Sequence, residues 1–85
     1  MEPYLPSPID TSGIQLPREL EDLAETLARN AHEVWAHFRV AGGQRQHHCL
    51  VPYDHLPESE KDCDRHVVRE TLKVLIILGY RIGRC

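Results

Sequence analysis

The sequence predicts a mainly α domain, an α+β fold with minimal β. It comprises two packed amphipathic helices, an N-terminal proline-rich strap and short peripheral strands. Three observations carry this expectation. Apolar residues recur from Leu16 to Phe38 at mostly three- and four-residue steps, and a second such stripe runs from about Asp64 to Leu78. Prolines crowd the first eight residues, where Pro3, Pro6 and Pro8 remove backbone donors and fix φ.

The elements follow in order. Residues 1–15 are expected to run extended over the surface, anchored by Tyr4, Leu5, Ile9 and Ile14. The first helix is expected to open at Pro17, whose fixed φ suits a helix start, with Glu19 and Glu21 favouring the positive end of the helix dipole. Leu16, Leu20, Leu23, Leu27, Ala31, Val34, Trp35 and Phe38 give its apolar stripe, which ends near Val40 before Gly42-Gly43. Cys49-Leu50-Val51, closed by Pro52, reads as a brief edge strand. Pro57 with Glu58 and Glu60 repeats the helix-opening chemistry of Pro17 and Glu19, as a short turn or as the start of the last helix.

The last helix closes at Gly79, a candidate left-handed cap, and residues 80–82 could add a short strand. Val68, Leu72, Leu75 and Ile76 mark its core face. Val67, Val74 and Ile77 lie off that face, so the helix is either sandwiched or meets a second copy. A faint internal echo runs through the chain: Pro8-Ile9-Asp10 precedes Leu16-Pro17, and Pro52-Tyr53-Asp54 precedes Leu56-Pro57. Its unequal spacing does not separate duplication from coincidence.

Composition narrows the function. The chain has 85 residues and a net charge of −3 with histidines neutral, and no segment gathers the lysines and arginines that a nucleic-acid face needs. One domain spanning 1–85 is the expectation, since this length supports one core. Its N-terminus lacks a basic start and apolar core, so no signal peptide is expected. The longest apolar run, Val74 to Leu78, is too short for a membrane helix. Three irregularly spaced cysteines argue against a disulfide framework and for a cytoplasmic setting.

Several tracts then resemble the ryanodine-receptor (RyR) repeat family, of the prokaryotic or phage stand-alone type. Ile9-Asp10-Thr11-Ser12 with Leu16-Pro17, and Leu27 through Ala36, are similar to its first half. Cys49 through Lys61 is similar to its second half, completed by Asp64, Glu70-Thr71-Leu72-Lys73 and Leu78-Gly79-Tyr80. The resemblance implies a mostly helical domain with short strands, pairing of repeats, and a signalling role in sensing nucleotide-derived compounds. One departure stands out. Val40 through His47 replaces a longer family connection bearing aromatics and acids, so any site built on that loop is altered or lost. His48 also replaces a favoured proline, and Cys63 stands where an aromatic is common.

The expected function is a non-enzymatic recognition domain for a small polar or nucleotide-derived ligand, functioning as a homodimer. The alternative is a scaffold that self-associates without a small-molecule site. Candidate ligand residues are Asn30, His32, Trp35, Tyr53, Asp54 and Lys61. Trp35 is either a core anchor or a stacking platform, and its neighbours Asn30 and His32 bring an amide and an imidazole. Tyr53, Asp54 and Lys61 bring a hydroxyl, a carboxylate and an ammonium, unless Asp54 only caps a turn and Lys61 only pairs with Glu58 or Asp64.

His47, His48, Cys49, Cys63 and His66 are zinc-type ligands, yet the paired spacing of zinc fingers is missing and no metal is expected. No catalytic residue is expected either: Asp62 and Asp64 flank Cys63, and negative charge disfavours the thiolate. A sensor should show a cavity converging on Trp35 and Tyr53. A scaffold should bury both and expose an apolar patch.

Overall fold

The computed structural model describes residues 2–84. Two long helices dominate it, α1 over Arg18–Ala41 and α2 over Glu58–Ile77, with a single 3₁₀ turn at Tyr53–His55 between them. The fold is therefore mainly α, and α1 packs along α2 and against the 3₁₀ turn.

Both helices start the same way. Pro17 and Pro57 stand just outside the first turn as N-caps in extended conformation, with ψ of 162° and 153°. Each carbonyl accepts the N–H groups of the third and fourth helical residues, Leu20 and Glu21 in α1 and Glu60 and Lys61 in α2. The leucine before each proline is buried. The sequence echo is thus a repeated structural device, in which a buried leucine fixes the entry of the chain and a proline fixes its direction.

The helices also end alike. Gly43 and Gly79 adopt positive φ of 87° and 92°. Gly43 and Gln44 donate back to Val40 and Arg39, while Gly79 and Tyr80 donate back to Ile76 and Leu75. These are Schellman closures, for which glycine has no Cβ penalty.

The core has two parts. Leu16, Ala24 and Leu72 form the first, with Leu20, Leu23, Val68, Leu75, Ile76 and Ile82 against them. Ala28, Tyr53 and Leu56 form the second, with Cys49 and Val51 alongside. Val68 touches both and joins them. The α2 core face is the expected one.

The face of α1 is not. Its buried positions are Ala24, Ala28 and His32, whereas Leu27, Val34 and Phe38 point outward, the last at 76% exposure. The reason is volume. Ala24 and Ala28, fully buried, let α2 approach closely with its large Val68, Leu72 and Leu75. Leu27, Val34 and Phe38 are left outside this contact, while Leu20 and Leu23 pack against the core.

Two further expectations change. Among the described residues there is no strand at 49–51 or 80–82. His47 to Leu50 is instead a turn closed by the Leu50 N–H on the His47 carbonyl, and the Tyr80 N–H is consumed by the α2 closure. Neither segment has an extended partner. Of the strap anchors expected in the N-terminal residues, Tyr4, Leu5 and Ile9 are exposed and Ile14 is half-buried. Their one buried fixture is Thr11, whose hydroxyl reaches both Glu70 carboxylate oxygens at 2.8 and 2.9 Å. The radius of gyration, 15.5 Å, exceeds the roughly 12 Å of a compact chain this long, which fits termini lying outside the core.

The alanine contact gives a direct check by urea unfolding. Ala28→Leu should destabilise by about 1–3 kcal/mol through overpacking. Val34→Ser, on the stripe that the sequence favours, should stay within about 0.5 kcal/mol.

Candidate functional site: a cavity beside Trp35

The middle of α1 sets up the site. His32 is buried one turn beyond Ala28, and its Nε2 lies 2.7 Å from the Val51 carbonyl. A carbonyl only accepts, so the ring donates from Nε2. This bond holds the segment before the 3₁₀ turn onto α1. Trp35 lies half-buried beside it, stacked on His32 at 5.7 Å between ring centroids. His47 meets the edge of the indole at 5.2 Å and stacks on His48 at 4.6 Å. Arg39, one turn further along α1, holds its guanidinium 5.3 Å from the Trp35 ring centre and bonds Gln44.

These side chains wall an open cavity of about 320 Å³. His32, Trp35, Arg39 and His47 line one side, while Leu56, Glu60, Cys63 and Asp64 line the other, with Cys49 between them. That volume is near the lower bound for small-molecule pockets. The cavity offers an aromatic face, a cation and two carboxylates. Burial raises the Asp64 pKa, with Glu60 adding to it and His32 opposing it. Burial also raises the Cys49 thiol, reinforced by Glu60 and Asp64. A nucleophilic cysteine needs the opposite shift.

The six sequence candidates fall into two groups. His32 and Trp35 line the cavity. Tyr53, Asp54 and Lys61 gather on the other side of His32, whose ring lies 6.2 Å from that of Tyr53. Tyr53 is buried at 2% exposure and donates its hydroxyl to Glu25 at 3.1 Å, and that carboxylate together with burial raises its pKa. Asp54 pairs with Arg29 at 2.9 Å, which lowers its pKa, and the Arg29 guanidinium sits over the Tyr53 ring. Lys61 pairs with Glu58 at 3.2 Å. Asn30 is exposed and lines neither group.

The sequence reading missed Arg39, Glu60 and Asp64 in the cavity wall. Their one signal is helical spacing, since Arg39 lies four residues after Trp35 and Asp64 four after Glu60. It also missed Arg65. This side chain grips Glu25 through two bonds of 2.6 and 3.1 Å, and reaches Glu58 and Asp62 at 2.9 Å each. The Arg65 bond is the main reason that the Glu25 carboxyl lies below its ordinary range.

A family model, that of the RyR domain, matches residues 4–84. The chain belongs to the RyR domain family. The match spans almost all of the chain and both halves of the fold, including both Leu-Pro helix starts and the turn carrying Tyr53. RyR domains are a non-catalytic family. Among the described residues no helix is long and apolar enough to cross a membrane.

The ion pairs give the RyR domain a pH signature. Glu25, Asp54, Glu58 and Glu70 all hold their protons less tightly in the folded state, chiefly through bonds from Arg65, Arg29, Arg65 and Thr11 respectively. Their contribution is present above the unfolded carboxyl pKa and is lost as pH falls through the lower folded one. Denaturation measured between pH 7 and pH 2, roughly, should show stability dropping below about 4.5. Arg65→Gln should flatten that drop, because Glu25 and Glu58 then titrate close to normally.

Proposed function

We propose that this RyR domain is a non-enzymatic recognition module that binds a small, planar, polar ligand of the nucleotide-derived class in the cavity beside Trp35. The observation that carries this reading is the placement of Trp35. A tryptophan serving only as a core anchor would be buried in one of the two core clusters, but this one is half-buried, stacked on His32 and forms a wall of an open cavity. An aromatic face accepts a base, and Arg39 beside it suits a phosphate. Glu60 and Asp64 opposite can accept from amino or hydroxyl groups. In this reading Tyr53, Asp54 and Lys61 act from behind, holding His32 and the 3₁₀ turn in place rather than touching the ligand.

Trp35 is the single tryptophan, so its emission reports the cavity directly. Titration with nucleoside phosphates, cyclic dinucleotides and NAD-derived compounds should quench or shift that emission. The same ligand should raise the melting temperature by mass action, and Trp35→Ala should abolish the stabilisation. A panel without any saturable response removes this reading.

The exposed apolar residues favour a second reading, self-association as a scaffold. Val67 and Ile77 are exposed on α2 and Leu78 at its C-cap, with Val74 half-buried among them, a spacing that places Val67, Val74 and Leu78 along one side. Sedimentation should then give a dimer that Ile77→Glu converts to a monomer. A wild-type monomer at high concentration rules it out.

A further inference from the structure

The turn that opens onto the cavity has a second chemistry. His47, His48 and Cys49 each present one metal-ligand atom, and these atoms all lie within 4.8 Å of one another. Two bonds shape the turn. The Leu50 N–H closes it on the His47 carbonyl, and the Cys49 N–H donates to His47 Nδ1 at 3.0 Å. The Leu50 bond gathers the three side chains on one side before any ion arrives, and His47 gives up its bond from the Cys49 N–H when it ligates, since a neutral imidazole has a single lone pair. Both histidines are exposed and the cysteine is half-buried, so the donors are accessible.

We propose that His47, His48 and Cys49 form a binding site for a divalent transition metal of the zinc type. Two imidazoles and a thiolate are the borderline-soft donors that zinc selects over calcium or magnesium. Zinc bond lengths put tetrahedral ligand atoms about 3.3–3.6 Å apart, so side-chain rotations of about an ångström close the site. Binding displaces the thiol proton to solvent. Two of the three donors, His47 and Cys49, also line the cavity, where Glu60 and Asp64 supply negative charge, and water can complete the shell. Arg39, the nearby cation, is turned over Trp35 and bonded to Gln44. Zinc-finger spacing is irrelevant here, because the donors come from one turn and not from two. Cys63 and His66, also zinc-type by residue, stand outside the cluster.

The site does not rest on the nucleotide reading, and the two are separable. Metal binding is read with cobalt(II) on the reduced, chelator-treated protein, and the Trp35 emission titration is run on the same metal-free sample. One equivalent of cobalt(II) should give tetrahedral d–d bands and a thiolate charge-transfer band, both erased by stoichiometric zinc(II). Cys49→Ser should abolish the charge-transfer band, and His48→Ala, at an exposed position, should weaken binding by about tenfold or more. His66→Ala should leave the titration unchanged. Zinc(II) should also raise the melting temperature of the wild type. Absence of bands at one equivalent overturns the site. So does a charge-transfer band that survives Cys49→Ser, which would place the thiolate at another of the three cysteines, or saturation at half an equivalent, which would mean a metal shared between two chains.

Discussion

The carboxylate of Glu25 receives Arg65 from α2 and the Tyr53 hydroxyl from the 3₁₀ turn, so all three helical elements meet at one side chain of α1. The apolar core is small, with few fully buried large residues, and such a core specifies the relative placement of two helices only weakly. The bidentate Arg65 bond adds direction, because a planar fork on a carboxylate tolerates little rotation. Arg65 is in turn held by Glu58 and Asp62 on its own helix, so it reaches across already oriented. Much of this network is partly exposed and solvent-screened. Its value lies more in geometry than in free energy.

That joint decides what the surface offers. With Ala24 and Ala28 against α2, Leu27, Val34 and Phe38 fall about a quarter turn round α1 and form an exposed apolar ridge. Beyond Ala28 the partner of α1 changes from α2 to the chain around Val51 and the 3₁₀ turn, and His32 makes the connection by a hydrogen bond. A polar joint at this position leaves room beside it. The cavity lined by Trp35 is the space between the second half of α1, the turn at His47 to Cys49 and the first turns of α2.

What was legible in the sequence is what the local backbone decides. Pro17 and Pro57 mark helix starts and Gly79 marks an end because dihedral limits act on the residue itself, whatever it packs against. Val68, Leu72, Leu75 and Ile76 were legible as a core face because they recur at three- and four-residue steps along α2, although Val67, Val74 and Ile77 lie off that face. The face of α1 was not, since an alanine and a leucine can each be the buried one, and the size of the opposing residues chooses between them. At the site, Trp35 and His32 were legible as residues but their company was not. Tyr53, Asp54 and Lys61 look like ligand groups in a list, yet in space their polar atoms are engaged by Glu25, Arg29 and Glu58. The strands expected at 49–51 and 80–82 failed for want of partners, which lie beyond the reach of local propensity.

The His32 joint also divides α1 in time. Backbone amides around Ala24 and Ala28 lie under α2 and open only with much of the fold, whereas those past Trp35 have water along most of their circumference and only the Gly43 closure at their end. Exchange with solvent deuterium therefore quickens along one continuous helix, with the boundary near His32. The cavity wall formed by Trp35 and Arg39 belongs to the faster half, so whatever fills that space slows the fraying of the helix end, and occupancy becomes readable as protection of amides that the ligand never touches.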